Sequence, residues 1–218
     1  MGYGVRHLRF ADYRVTPWKN GAGVTREIAA AAASVGSETP PDWRISMATI
    51  TEDAPFSTFP GIARTLGVVD GAGIELVVAG RTRLLRIGDA PEEFAGDIPA
   101  SARPLQGPVL DLNLMVDPSR TMGQMRPIGL GTHDLAGLSW FVVSLVDGLA
   151  VRLNDQEPLA LPRLDTARLD LRSGPLARLT LTQAADASDT DASGAPRRPA
   201  ANDAASDTPV AYLLSIWR

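Results

Sequence analysis

The chain has 218 residues, 44% of them hydrophobic, and its 25 acidic side chains outnumber 21 Lys and Arg for a formal net charge of −4. That length suits one large domain or two small ones with a real core, and the acidic balance gives no footing for nucleic-acid binding. Cysteine is absent, which excludes a disulfide framework, a thiolate nucleophile and a Cys-ligated metal, and no run of roughly 18 apolar residues exists to span a membrane.

Residues 1–13 carry Arg6, Arg9 and Asp12 among apolar residues and lack the h-region of a signal peptide. A cytoplasmic protein is expected. The next stretch is the densest in chemistry: Pro17-Trp18-Lys19-Asn20-Gly21-Ala22-Gly23-Val24-Thr25-Arg26-Glu27. Asn20-Gly21 alone supplies the positive φ values of a tight hairpin. Lys19 or Arg26 could bind a carboxylate that Asn20 and Thr25 orient by hydrogen bonds, or the charges of the hairpin are simply solvated. Residues 25–35 are alanine-rich but show no apolar stripe at helical spacing, so their first half reads as strand.

Residues 43–50 alternate, with Trp43, Ile45 and Met47 on one face and Arg44, Ser46 and Ala48 on the other. The polar face either meets solvent or turns inward where the apolar face packs on a second domain. Residues 55–64 set two prolines, a glycine, Phe56 and Phe59 around Arg64. Such a loop pre-organises a guanidinium, which grips a carboxylate bidentately; it also suits a structural plug at a barrel end. Residues 65–69 read as a strand, and 74–78 with 81–87 as a hairpin turning at Ala79-Gly80. In residues 109–116, Leu110, Leu112 and Leu114 face one way and Asp111, Asn113 and Met115 the other. Asp111 is a base or, with no paired carboxylate in view, the neutraliser of a nearby arginine.

After a Pro/Gly-rich stretch over 117–131, strands are expected at 138–146 and 149–153, flanking Asp147-Gly148, then at 159–161, 167–171, 176–182 and 210–217. Regular short strands with turn signals predict an all-β fold. Two sets of them predict two small barrels or sandwiches joined near 117–135, bounded as residues 1–130 and 131–218. Residues 184–209 are rich in Ala, Asp, Ser and Pro with almost no large apolar side chain, so a mobile insertion is expected there. The two histidines, His7 and His133, stand alone without metal-ligand spacing, so neither a metal nor another cofactor is expected.

Four motifs in this order resemble the HutD/Ves family: a PWKNGGG-x-T-R-E turn at 17–27, a WR-x-S-x-A strand at 43–48, an FS-x-FPG-x-x-R loop at 56–64 and a D-x-N-x-M strand at 111–115. The likeness covers the first 115 residues closely and the rest by strand pattern. Ala22 stands where the family usually has its middle glycine; a positive φ there would cost alanine about 1 kcal/mol. The resemblance implies a cupin-like chain of two barrel modules, a bicupin, without metal. It further implies a regulator of bacterial histidine utilisation that binds an anionic pathway metabolite of the urocanate or N-formylglutamate class.

On that reading Arg44, Arg64 and Lys19 meet the carboxylate. Asn20, Thr25, Ser46 and Asn113 supply neutral hydrogen bonds, Asp111 balances charge, and Trp18 and Met115 wall the pocket. The alternative is a metal-free cupin enzyme, an isomerase or hydrolase of a small carboxylate, with Asp111 or Glu27 as base and Lys19 as acid. A third reading is an interaction module docking through Phe56 and Phe59. The sequence does not fix the oligomeric state; two-barrel chains often pair through sheet edges, and a homodimer of that kind is one assembly open to it.

Overall fold

The computed structural model describes residues 4–18, 23–31, 41–137, 139–171, 176–183 and 208–217. The chain is all-β: among these residues there are nineteen strands, β1 to β19 in chain order, and no α-helix. Among the described residues no helix is long and apolar enough to cross a membrane.

The strands form four sheets. One has six strands in the order β2 (Arg14–Pro17), β3 (Val24–Ala30), β4 (Trp43–Ile50), β11 (Val109–Val116), β6 (Ala63–Asp70) and β9 (Glu92–Ala95). A four-stranded sheet follows the order β5 (Ala54–Pro55), β10 (Ala100–Pro104), β7 (Ile74–Val78) and β8 (Arg81–Leu85). A five-stranded sheet runs β1 (Gly4–Leu8), β17 (Thr166–Asp170), β14 (Ser139–Ser144), β19 (Ala211–Trp217) and β12 (Met122–Ile128). The last joins β13 (Gly131–Leu135), β18 (Ala177–Gln183), β15 (Leu149–Leu153) and β16 (Leu159–Leu161). Each sheet is open, with edge strands at both ends. Of the barrels or sandwiches expected from strand spacing, the described residues show open sheets packed face to face, none closed on itself.

Three apolar clusters separate the sheets. The central one joins Ile45, Met47, Leu112 and Leu114 of the six-stranded sheet to Phe141, Val143, Tyr212 and Leu214 of the five-stranded sheet. Another lies between the five-stranded sheet and β13, β15, β16 and β18, where Val142, Leu169 and Leu213 meet Leu149, Val151 and Leu153 of β15 and Leu179 of β18. Strands β14 and β19 are thus buried on both faces, which is why they read as continuous apolar runs rather than alternating ones. The third cluster sets Ile50, Leu66, Val68 and Val109 against Ile74, Leu76 and Ala102.

The central cluster decides the orientation of β4 and β11. Their alternate residues Ile45, Met47, Leu112 and Leu114 are at most 1% exposed against the five-stranded sheet. Period-two geometry then forces Arg44, Ser46, Asp111, Asn113 and Met115 to the opposite face. That face is not solvent: it looks across to the four-stranded sheet. Gly67 of β6 makes the packing on the first side feasible, because a Cβ there would lie 3.0 Å from the Tyr212 ring.

Several sequence expectations shift. The stretch 117–135, expected as a joint, contains both β12 and β13. Pro127 within β12 hid that strand, and the sheet tolerates it because β12 is an edge. Strand β1, from the chain's start, pairs with β17 in register Gly4↔Asp170 to Leu8↔Thr166. Residues 25–30 are strand within β3, whereas 32–40 lie outside the described residues, as do the Asn20-Gly21 turn and residues 184–207 of the expected insertion.

Candidate functional site

The inward face of β4, β11 and β6 grades from polar to apolar along the strands. One row of directly opposed residues runs Arg44, Met115, Arg64 and Phe94. The next holds Glu27, Ser46, Asn113 and Leu66, and the third Thr25, Ala48, Asp111 and Val68. Beyond that, Ile50 and Val109 belong to the apolar filling. The polar end is hollow. A cavity of about 730 Å³ is lined there by Trp18, Thr25, Arg44, Ser46, Arg64, Asp111, Asn113 and Met115, together with Thr16, Pro17, Ala48, Pro55, Phe56, Ser57 and Phe59. An adjoining recess of about 40 Å³ shares Arg44, Phe59 and Met115.

Eight of the ten residues singled out from the sequence therefore converge on one cavity. The other two, Lys19 and Asn20, lie outside the described residues. The hairpin that carries them is closed by the Trp18 N–H donating to the Gly23 carbonyl at 2.9 Å. Trp18 Nε1 donates to Thr25 Oγ1 at 2.8 Å, which fixes the indole as a wall. Arg26, offered as an alternative carboxylate partner, points to the other side of its sheet. Its guanidinium sits 5.1 Å from the Phe10 ring centroid and reaches Thr49 Oγ1 at 3.5 Å. Glu27, the alternative base, is held by both oxygens on Arg14 at 3.0 Å and does not line the cavity.

Arg64 is 6% exposed. Its guanidinium carbon lies 4.8 Å from the Phe56 ring centroid, 5.1 Å from Phe94 and 5.8 Å from Phe59, an aromatic cage suited to a cation. Sequence reasoning missed Phe94. Only the pairing of β6 with β9 brings it opposite Arg64, and that long-range register leaves no local signal. Arg64 Nη2 donates to Asn113 Oδ1 at 2.8 Å, and Asn113 Nδ2 donates to Asp111 Oδ1 at 2.9 Å. Oδ1 of Asp111 also accepts the Ala48 N–H at 3.0 Å. An amide thus stands between Asp111 and Arg64, whose charges act on each other across it.

Electrostatics follow from burial. Asp111 is fully buried, and loss of water pushes its carboxyl up to about 7, against the opposing pull of Arg64, the Ala48 N–H and Asn113. Burial lowers the Arg64 guanidinium from its ordinary value; Asp111 opposes that shift and the charge of Arg44 adds to it. Arg44 stands on the far side of Met115, about 10 Å away by strand spacing. Its Nη2 reaches Met115 Sδ at 3.1 Å. Among the described residues, the buried side-chain nitrogens and oxygens without a hydrogen-bond partner are Arg44 Nε, Arg64 Nε and Asp111 Oδ2. All three belong to this cavity, and each such group is costly unless something meets it.

No group of three or more His, Cys, Asp or Glu residues that could hold a metal occurs among the described residues. His7 bonds Asp165 at 2.7 Å and His133 bonds the Gly129 carbonyl at 3.0 Å, each with a partner of its own. A second hollow, of about 550 Å³ along β15, β16 and β18, offers Asp147 as its only charged lining residue. It lacks any comparable polar convergence.

Comparison with known proteins supports the same grouping. An uncharacterized 21.2 kDa protein in the hutC 3′ region of Pseudomonas putida is 38% identical over 120 residues, 55% of this chain and 62% of that protein. Protein Ves of Cronobacter sakazakii is 32% identical over 123 residues, 55% of this chain and 66% of that protein. The matched stretch therefore spans slightly under two thirds of either relative. Protein Ves of Citrobacter koseri is 33% identical over 154 residues, 68% of this chain and 78% of that protein. The solved structure of HutD from Pseudomonas fluorescens SBW25 superposes with a TM-score of 0.74 at 28% identity, covering 98% of both chains. A conserved protein of unknown function from Pseudomonas aeruginosa PAO1 gives 0.76 at 26%, covering 99% of this chain and all of the other. The HutD family profile matches residues 10–188. The chain belongs to the HutD family.

Proposed function

We propose that this protein is a metal-free small-molecule-binding protein that takes up a small anionic metabolite in the cavity behind β4, β11 and β6. The observation that carries the reading is the pair of arginines flanking Met115 in one row, each with an unpartnered Nε, while the one acid among the described residues lining the cavity, Asp111, is already shifted toward neutrality. Two repelling cations with spare donors are the arrangement that a carboxylate relieves. Trp18, Phe56 and Phe59 exclude water around it.

A charge-assisted hydrogen bond contributes roughly 1.5–3 kcal/mol. Two or three of these, less the cost of association, correspond to about micromolar affinity. The relative in the hutC region supports placing the ligand in histidine utilisation, as urocanate or N-formylglutamate, and the protein as a cytoplasmic regulator of that pathway. We read the organisation as bicupin. The six- and adjoining four-stranded sheets form the module with the site, and β1 and β12 complete the other module.

A second reading, a metal-free isomerase or hydrolase, draws on Asp111, a buried acid that titrates near neutrality. A thermal-shift screen of small carboxylates tests the binding reading. Stabilisation by urocanate or N-formylglutamate, absent with the corresponding amides, supports it; no stabilisation by any carboxylate overturns it. Turnover of either compound above background would favour the enzyme.

A further inference from the structure

We infer that Asp111 enters the complex as the neutral acid and donates its O–H from Oδ2 to an acceptor atom of the ligand. The cavity then takes up a proton with its anion and selects small acids that carry a second hydrogen-bond acceptor. This rests on the carboxylate-binding reading above and adds the identity of the third polar contact.

The geometry leaves Asp111 two unlike oxygens. Oδ1 is filled, accepting the Ala48 N–H and Asn113 Nδ2. Oδ2 is buried without a partner in the wall of the cavity. A charged carboxylate with one bare oxygen would repel an incoming anion, and among the described residues no cation pairs with it directly. Arg64 reaches it only through Asn113. A proton on Oδ2 removes that repulsion and converts the bare acceptor into a donor.

Among the described residues, the cavity lining contains no carboxyl, imidazole or amine besides Asp111. In its own row Asp111 faces Thr25 of β3, Ala48 of β4 and Val68 of β6. The other charged groups on the same face are Arg44 of β4 and Arg64 of β6 in the row of Met115, and Glu27 of β3, opposite Ser46, which both its oxygens tie to Arg14 of β2 outside the cavity lining. The loop across the cavity brings Phe56, Ser57 and Phe59, none of which titrates in this range. The proton therefore comes from solvent. Burial already holds the acid near the balance point, so a bound anion tips it to the neutral form.

Calorimetric titration with N-formylglutamate in buffers of different ionisation enthalpy counts the protons directly. N-formylglutamate is chosen because its own carboxyl groups stay charged across the range. The expected result is uptake approaching one proton per ligand above neutrality, with affinity falling about tenfold per pH unit there. In Asp111→Asn, whose amide keeps a donor at this place, uptake disappears and affinity stays level with pH. Binding by the wild-type protein with no proton uptake and level affinity overturns this inference while leaving the carboxylate reading intact. No binding at about pH 6, where both guanidinium groups and the neutral acid are in place, overturns both.

Discussion

Arg64 Nη2 donates to Asn113 Oδ1 at 2.8 Å, so the buried cation is anchored by a neutral amide rather than by an acid. The same amide reaches on to Asp111, and its orientation is fixed because a guanidinium can only donate. Asn113→Leu, close in size, removes both bonds at once and leaves two buried charged groups short of a partner. The variant should lose about 1–3 kcal/mol of stability per stranded group, measured by urea denaturation. An unchanged midpoint and slope would show that Asn113 holds nothing in place.

Arg64→Lys tests shape against charge. An ammonium keeps the cation but cannot span Asn113 and a ligand carboxylate in one plane, and it fits the three phenyl faces less well. We expect a folded protein whose ligand-induced rise in melting temperature is lost, as in Arg64→Ala. Wild-type stabilisation in the lysine variant would mean that charge alone suffices.

Asp111 also marks the pH dependence of folding. Its carboxyl is pushed from 3.8 up to about 7 in the native state, so between those values the folded protein binds more protons than the unfolded one. Stability contributed by this group is fully present below the lower value and lost as pH rises through the upper one, on the order of 4 kcal/mol in total. Asp111→Asn should remove that decline. Parallel decline in both proteins, followed by chemical denaturation across pH, would place its origin elsewhere.

Gly23 sits where the hairpin crosses β4. A Cβ there would lie 2.5 Å from the Thr49 carbonyl oxygen and 3.1 Å from the Trp18 ring. The backbone contact cannot yield cheaply. Gly23→Ala should destabilise by about 1–3 kcal/mol and quench or shift Trp18 fluorescence as the cavity wall moves. A variant that melts with the wild type would show that the hairpin is loosely held.

Much of the site was readable because alternation specifies which residues share a face. Arg44 with Ser46, and Asp111 with Asn113 and Met115, were grouped from period two alone, and β4, β7, β11, β15 and β16 keep the bounds expected of them. What alternation cannot say is what covers each face. Arg44 and Ser46 turn inward because Ile45 and Met47 have a second sheet to pack on, and its strands β14 and β19 lie far along the chain. The same limit hid Phe94 behind Arg64 and left Arg26 as a candidate until the pairing of β3 placed it opposite Met47. Strand β12 was missed for a local reason: Pro127 reads as a breaker until its edge position is known.

The most direct test is a crystal structure grown with N-formylglutamate. The account predicts a ligand carboxylate at hydrogen-bond distance, about 2.7–3.2 Å, from nitrogens of both Arg44 and Arg64, with Phe56 and Phe59 closed around it. A ligand bound anywhere else, or one in this cavity that leaves both guanidinium groups untouched, would contradict it.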